Sequence, residues 1–151
     1  MKTIVDISNN TVMVGAKIYI EAYSKEPWNE NREIDSICSY IKRFLLGNMN
    51  FGWLLYEDNI AIGIILGSII PAIDGDYFRI EDLCISPDKQ NLGNGSEFLK
   101  LTSEKLLTYD IDSILLNTVK GFPSCKFYLK NGFNEISSSA LFCLELNNEN
   151  Y

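Results

Sequence analysis

Two short stretches hold the residue types best able to do chemistry. The first is "QNLGNG", Gln90 to Gly95, set just ahead of an amphipathic run that starts at Ser96. Glycines one residue apart at a helix start let a ligand approach the backbone closely, and the N–H groups and helix dipole converge there on negative charge. The second is the carboxylate pair Glu81 and Asp82, embedded in "YFRIEDLCIS". A carboxylate in a core strand is costly without a partner or a task. Side chains alternate along a strand, so the pair is expected on opposite faces, with one of them pointing to a substrate side. An ion pair of Glu81 with Arg79 or a lysine is the alternative use.

What the chain lacks narrows the chemistry further. It has no histidine, which removes Ser-His-Asp and Cys-His mechanisms and the usual base near neutral pH. Cys38, Cys84, Cys125 and Cys143 are widely spaced with no CxxC pair, so no metal site is expected. All four are expected as buried thiols. Thirteen Lys plus Arg against 20 Asp plus Glu give a formal charge of -7; this field repels a phosphate backbone and favours a cationic small molecule. No nucleic-acid partner is expected. The longest apolar run, "IAIGIILGSII", is about half of the ~20 residues that span a bilayer, so no membrane contact is expected. The opening "MKTIVDISNN" lacks the apolar core of a secretion signal, and a reducing, cytoplasmic location is the expectation.

The elements that must position these residues follow from periodicity. Lys2 to Asp6 reads as a short strand. Asn10 or Thr11 can cap a helix with Val12, Ala16, Tyr19 and Tyr23 on one face, which ends in the loop "SKEPWNEN". Ile34, Ile37, Cys38, Ile41, Phe44 and Leu45 recur at helical spacing, with Gly47 as a C-cap. Phe51–Tyr56 and Ile60–Ile70 read as an antiparallel hairpin, and Tyr77–Ser86 as a third long strand stopped by Pro87. A helix is expected over Ser96–Leu107, a buried strand over Ser113–Val119 and a short helix from Pro123, with final strands at "FNEIS" and "LFCLEL". The sum is one domain over residues 1–151, α+β, with a single mixed, mostly antiparallel sheet flanked by helices.

Three phosphate-binding patterns compete for the glycine turn. A dinucleotide fingerprint needs a third glycine where Phe98 stands, and a P-loop needs a lysine that follows neither glycine. The third is Q-x-x-G-x-G, and here "QNLGNG" resembles the acetyl-CoA turn of the GNAT family of N-acetyltransferases. The upstream "YFRIEDLCISPDKQ" is similar to that family's central strand, and the downstream "KFYLKNGF" to its F-Y-x-K-x-G-F block. The resemblance covers Phe51 to Leu146 and implies the acyl-CoA N-acyltransferase fold.

It also implies roles. Gln90, Asn91, Leu92, Gly93, Asn94, Gly95 and Ser96 would clasp the CoA pyrophosphate, while the backbone of Leu83, Cys84 and Ile85 would hold the pantetheine arm and polarise the thioester carbonyl. A β-bulge in this strand would open the slot. Glu81 would be the base that deprotonates the amine, and Tyr128 the acid that protonates the departing thiolate. Asp82 and Trp28 would contact the acceptor, although Trp28 and Pro27 equally fit a closed hydrophobic corner. The reading is acetyl-CoA-dependent transfer to a primary amine of a small, cationic acceptor by direct attack, without metal; a homodimer is left open. Leu92, Asn94 and Gly121 depart from the family's usual residues and favour an alternative, a CoA-binding module with little or no turnover. A protein or peptide N-acetyltransferase is a further alternative.

Overall fold

The computed structural model describes residues 1–146, which fall into two compact units, Met1–Asn117 and a second from Thr118 onward. The first unit holds a five-stranded sheet in the order β1-β2-β3-β4-β5. Its elements are β1 (Lys2–Asp6), α1 (Val12–Tyr23), α2 (Ile34–Leu45), β2 (Asn50–Glu57), β3 (Ile60–Ile70), β4 (Tyr77–Ile85), α3 (Asn94–Leu107) and β5 (Ile114–Leu116). β1 to β4 pair antiparallel and β5 joins β4 in parallel. This is the expected mixed, mostly antiparallel sheet.

Alternation along β2 and β3 builds a core on each face of the sheet. Leu54, Ile64 and Leu66 turn toward α1 and α2, where they pack with Val12, Ala16, Ile37 and Ile41. On the other face Trp53 stacks on Phe78, with the Lys105 ammonium of α3 5.2 Å above the indole. Phe98 of α3 is fully buried. Side chains of this size stabilise by roughly 1.5–3 kcal/mol each when fully buried, so these two layers hold the long strands on which the candidate site rests.

Several boundaries move for local reasons. The hairpin turns on Asp58 and Asn59, both at positive φ (47 and 70), as a two-residue turn matched to strand twist requires. Thr11 is the N-cap of α1, and its hydroxyl accepts from the Ser8 N–H at 2.9 Å rather than from the helix. α2 is capped by Leu46 and not by Gly47. β5 is three half-buried residues where a longer buried strand was expected.

The second unit contains α4 (Pro123–Lys130), where the sequence placed a short helix. The two final strands are absent: residues 133–146 form none, and Ile136, Leu141, Phe142, Leu144 and Leu146 are exposed. Their alternation is real, but a strand exists only through a ladder with a neighbour, and this segment has none. The thiols also need correction: Cys38 is buried, Cys84 and Cys125 are half-buried and Cys143 is exposed, all unpaired.

Candidate functional site

The glycine turn is braced from within. After β4 a single 3-10 turn, Pro87–Lys89, redirects the chain, and the Gln90 amide donates back to the Ile85 carbonyl at 2.8 Å. The Asn94 amide donates to the Lys89 carbonyl at 2.8 Å from a buried position. Both side chains thereby brace the turn, Asn94 from a buried position and Gln90 from an exposed one. Asn91 and Gly93 adopt left-handed backbone (φ 59 and 81), and Gly93 is the N-cap of α3. The recurrent helical bonding starts with Glu97 N–H on the Gly93 carbonyl at 3.0 Å, so the N–H groups of Asn94, Gly95 and Ser96 have no intrahelical acceptor. A Cβ on Gly93 would meet nothing within 4 Å. Outside its two chain neighbours nothing crowds this corner, and free N–H groups at a helix start beside an open glycine are a fit for a phosphate group. Leu92, 67% exposed, stands beside it.

Next to the turn, β4 has a free edge. On one side it pairs with β3 along its whole length, from Tyr77 to Ile85. On the other, β5 covers only Phe78, Arg79 and Ile80. From Glu81 to Ile85 no described strand pairs with that edge, so its N–H and C=O groups can serve an extended ligand arm. Pairing stops where β4 carries a bulge: Leu66 opposes Asp82 and Gly67 opposes Ile80, which leaves Glu81 as the extra residue. The expected bulge is present, and beyond it no described strand pairs with this edge of β4. Gly67 is what the bulge packs over, since a Cβ there would lie 2.2 Å from Phe78 Cζ and 2.7 Å from the Arg79 carbonyl oxygen.

The bulge overturns one expectation, that Glu81 and Asp82 occupy opposite faces. Arg79 opposes Ser68, and Asp82 and Cys84 oppose Leu66 and Ile64, residues of the face under α1 and α2. One added residue shifts the alternation, so both carboxylates come to that face. Their environments then diverge. Glu81 is 40% exposed and pairs with Arg79 Nε at 3.1 Å. Asp82 is half-buried and accepts a hydrogen bond from the Tyr40 hydroxyl of α2. Burial raises the Asp82 carboxyl above the ordinary carboxylate range, with the Glu81 and Glu30 charges adding to the rise and the Tyr40 and Tyr19 hydroxyls opposing it. Burial, then Asp82, pushes the Cys84 thiol well up, which keeps it protonated and a poor nucleophile.

An aromatic chain leads from this carboxylate to the loop after α1. Tyr40 meets Tyr19 edge-on at 6.2 Å, Tyr19 contacts Tyr23 at 4.5 Å, and Tyr23 contacts Trp28 at 5.5 Å. Trp28 therefore belongs to the same side-chain group as Asp82. The Glu30 N–H donates to the Tyr23 carbonyl at 2.8 Å, which folds the loop back on α1. Tyr40 and Glu30 escaped the sequence reading; the one signal for Tyr40 was its spacing of four from Phe44 on α2, which puts the two rings in contact.

In the second unit, Tyr128 lies on α4 with its ring 5.1 Å from Phe127 and 5.2 Å from Phe133. The Phe133 N–H donates to the Tyr128 carbonyl, and Gly121 and Gly132 hold left-handed backbone at either end of the helix. Among the described residues no group of three or more His, Cys, Asp or Glu is placed to hold a metal ion, and no helix is long and apolar enough to cross a membrane.

Comparison with known proteins places this geometry. The sequence model of the acetyltransferase (GNAT) family matches residues 16–133. No curated protein matches the chain by sequence. Among solved structures, a GNAT family acetyltransferase of Staphylococcus aureus superposes with a TM-score of 0.75 at 16% identity, covering 95% of this chain and 98% of that one. An aminoglycoside antibiotic 6'-N-acetyltransferase from Acinetobacter haemolyticus gives 0.74 at 14% identity, over 96% and 99%. AAC(6')-Iy, solved with the bisubstrate analogue CoA-S-monomethyl-acetylneamine, gives 0.74 at 13%, over 96% and 99%.

Proposed function

The chain belongs to the acetyltransferase (GNAT) family and is an acyltransferase, and from this we propose that it transfers the acetyl group of acetyl-CoA to a primary amine of a small, cationic acceptor. The observation that carries the reading is the left-handed Gly93 turn at the start of α3, beside the unpaired edge of β4. In this reading the N–H groups from Asn91 to Ser96 take the pyrophosphate, and Gln90 and Asn94 brace the loop. The backbone of Leu83, Cys84 and Ile85 holds the pantetheine arm and polarises the thioester carbonyl. Structural likeness to an enzyme solved with a CoA bisubstrate analogue supports the same co-substrate.

An alkylammonium with a pKa near ~10 must lose a proton before its nitrogen can attack. The β4 carboxylates are the groups for that task, Glu81 being the one that the family resemblance points to. Attack is direct in this reading, because Cys84 of β4 is held as a protonated thiol. Tyr128 is the acid for the leaving thiolate, on the strength of its motif. Trp28 and Asp82 contact the acceptor, and the formal charge of -7 favours a cation there. One domain, in the cytoplasm, with no nucleic-acid or membrane partner completes the reading.

Calorimetry with acetyl-CoA, followed by thiol-release assays with polyamines, aminoglycosides, amino acids and peptides, tests it. We expect saturable binding and amine-dependent release, strongest with cationic amines. Preference for anionic acceptors would reject the acceptor assignment.

A further inference from the structure

We infer that Asp82, set between Tyr40 of α2 and Tyr19 of α1, is the group that takes the proton from the acceptor amine, and that Glu81 is not. This rests on the acetyl-transfer reading and deepens it. The two carboxylates share one face of the sheet because of the bulge, so orientation does not separate them. Their partners do. Glu81 is an open surface side chain already neutralised by Arg79. Asp82 faces Tyr19 from α1, Glu30 from the loop after it, Tyr40 from α2, and Glu81 and Cys84 from its own strand. Its partner on β3, Leu66, is apolar. These neighbours are acidic or neutral, and the nearby cations Arg79 and Arg32 are taken up by Glu81 and Glu30.

Such a setting suits a base. An effective base has a pKa nearer the working pH than an ordinary surface carboxylate, and the burial that raises Asp82 moves it in that direction. A carboxylate accepts about four hydrogen bonds, so the Tyr40 hydroxyl leaves room for an incoming ammonium. Tyr40 is then a positioning residue, fixing the carboxylate and limiting how far its pKa climbs. The step balances as follows: one ammonium proton passes to Asp82, the freed nitrogen forms a bond to the acetyl carbonyl carbon, and the C–S bond breaks. The second proton leaves nitrogen as the amide forms while the departing thiolate gains one, and Asp82 returns its proton to solvent.

The test is the pH dependence of amine-dependent thiol release from acetyl-CoA, with spermidine, phenethylamine and kanamycin as probes, alongside calorimetry with acetyl-CoA. Asp82→Asn should lower kcat by ~10² to 10⁴ and replace the wild-type acidic limb by a rise that follows the ionisation of the amine itself, so that activity recovers only at high pH. Its acetyl-CoA affinity should stay within about twofold. Glu81→Gln should keep the limb, whatever it costs in kcat, because the titrating base is still present. Tyr40→Phe should keep the limb but shift it upward, since a hydrogen bond that favours the charged carboxylate is lost; this variant keeps the test open if Asp82→Asn fails to fold. Loss of the limb in Glu81→Gln, or an unmoved limb in Tyr40→Phe, overturns the inference and leaves acetyl transfer standing. No amine-dependent release from wild type carrying bound acetyl-CoA overturns both.

Discussion

The glycine turn and the β4 bulge lie a few residues apart, yet they commit the molecule in opposite ways. The turn presents backbone, and its shape is set locally, by Gly93 and by the bracing hydrogen bonds of Gln90 and Asn94. The bulge presents side chains, and their direction is set by register against β3 and by what α1 and α2 bring to that face. A backbone site tolerates much change in its outward side chains, whereas a side-chain site depends on distant packing. The departures at Leu92 and Asn94 illustrate the first half: Asn94 is buried and bonds to the Lys89 carbonyl, and Leu92 is exposed.

The comparison breaks most sharply at Gly93. Gly93→Val puts a β-branched side chain at φ +81, a conformation costing ~1–3 kcal/mol, and fills the open space that a phosphate would use. Acetyl-CoA affinity should fall by roughly a hundredfold or more on calorimetry, while Leu92→Ala should change it little. Equal affinity in Gly93→Val would remove the turn from the binding site.

At the bulge the sensitive glycine is Gly67. Gly67→Ala drives a methyl group into Phe78 and the Arg79 carbonyl, and overpacking of this kind costs ~1–3 kcal/mol. Denaturant unfolding should show the loss, and the variant should retain acetyl-CoA affinity better than it retains turnover. A variant as stable as wild type would mean that β4 does not need its bulge.

Tyr128 sharpens the contrast from another side, as a side-chain role resting on a local motif. Tyr128→Phe removes one hydroxyl, and because a thiol with a reference pKa near ~8.5 is already a fair leaving group, turnover should drop by only about tenfold. Acetyl-CoA affinity should hold. Full turnover at saturating acceptor would reduce Tyr128 to a packing residue.

The smallest effect is on stability and concerns Asp82. Its folded pKa lies above the unfolded value, so it is the protonated form that folding favours, and this contribution fades as pH rises from the ordinary carboxylate range through the folded pKa. Asp82→Asn escapes that loss. Thermal melts should therefore show the variant gaining on wild type as pH rises through that window. A constant difference across pH would show that Asp82 ionises alike folded and unfolded.

What the sequence revealed follows the same division. Strands β1 to β4, all four helices and the turn were legible because periodicity, caps and glycines act over a few residues. The bulge itself was anticipated, but not its consequence, since one inserted residue reverses the face of every side chain beyond it and only the pairing of Gly67 with Ile80 and Leu66 with Asp82 reveals where. Tyr40 meets Asp82 across 42 positions of chain, beyond any local pattern. The terminal strands failed for a related reason: alternation at "LFCLEL" describes a side-chain pattern and not the presence of a partner ladder.

The most direct test of the central claim is the initial rate of free thiol release from acetyl-CoA by the wild-type protein as a primary amine is added. The account predicts a saturable, amine-dependent rate, highest for cationic acceptors, with one acetylated amine formed per thiol released. A rate that stays at the amine-free background for every acceptor, with acetyl-CoA bound, would contradict it and leave a protein that holds the cofactor without using it.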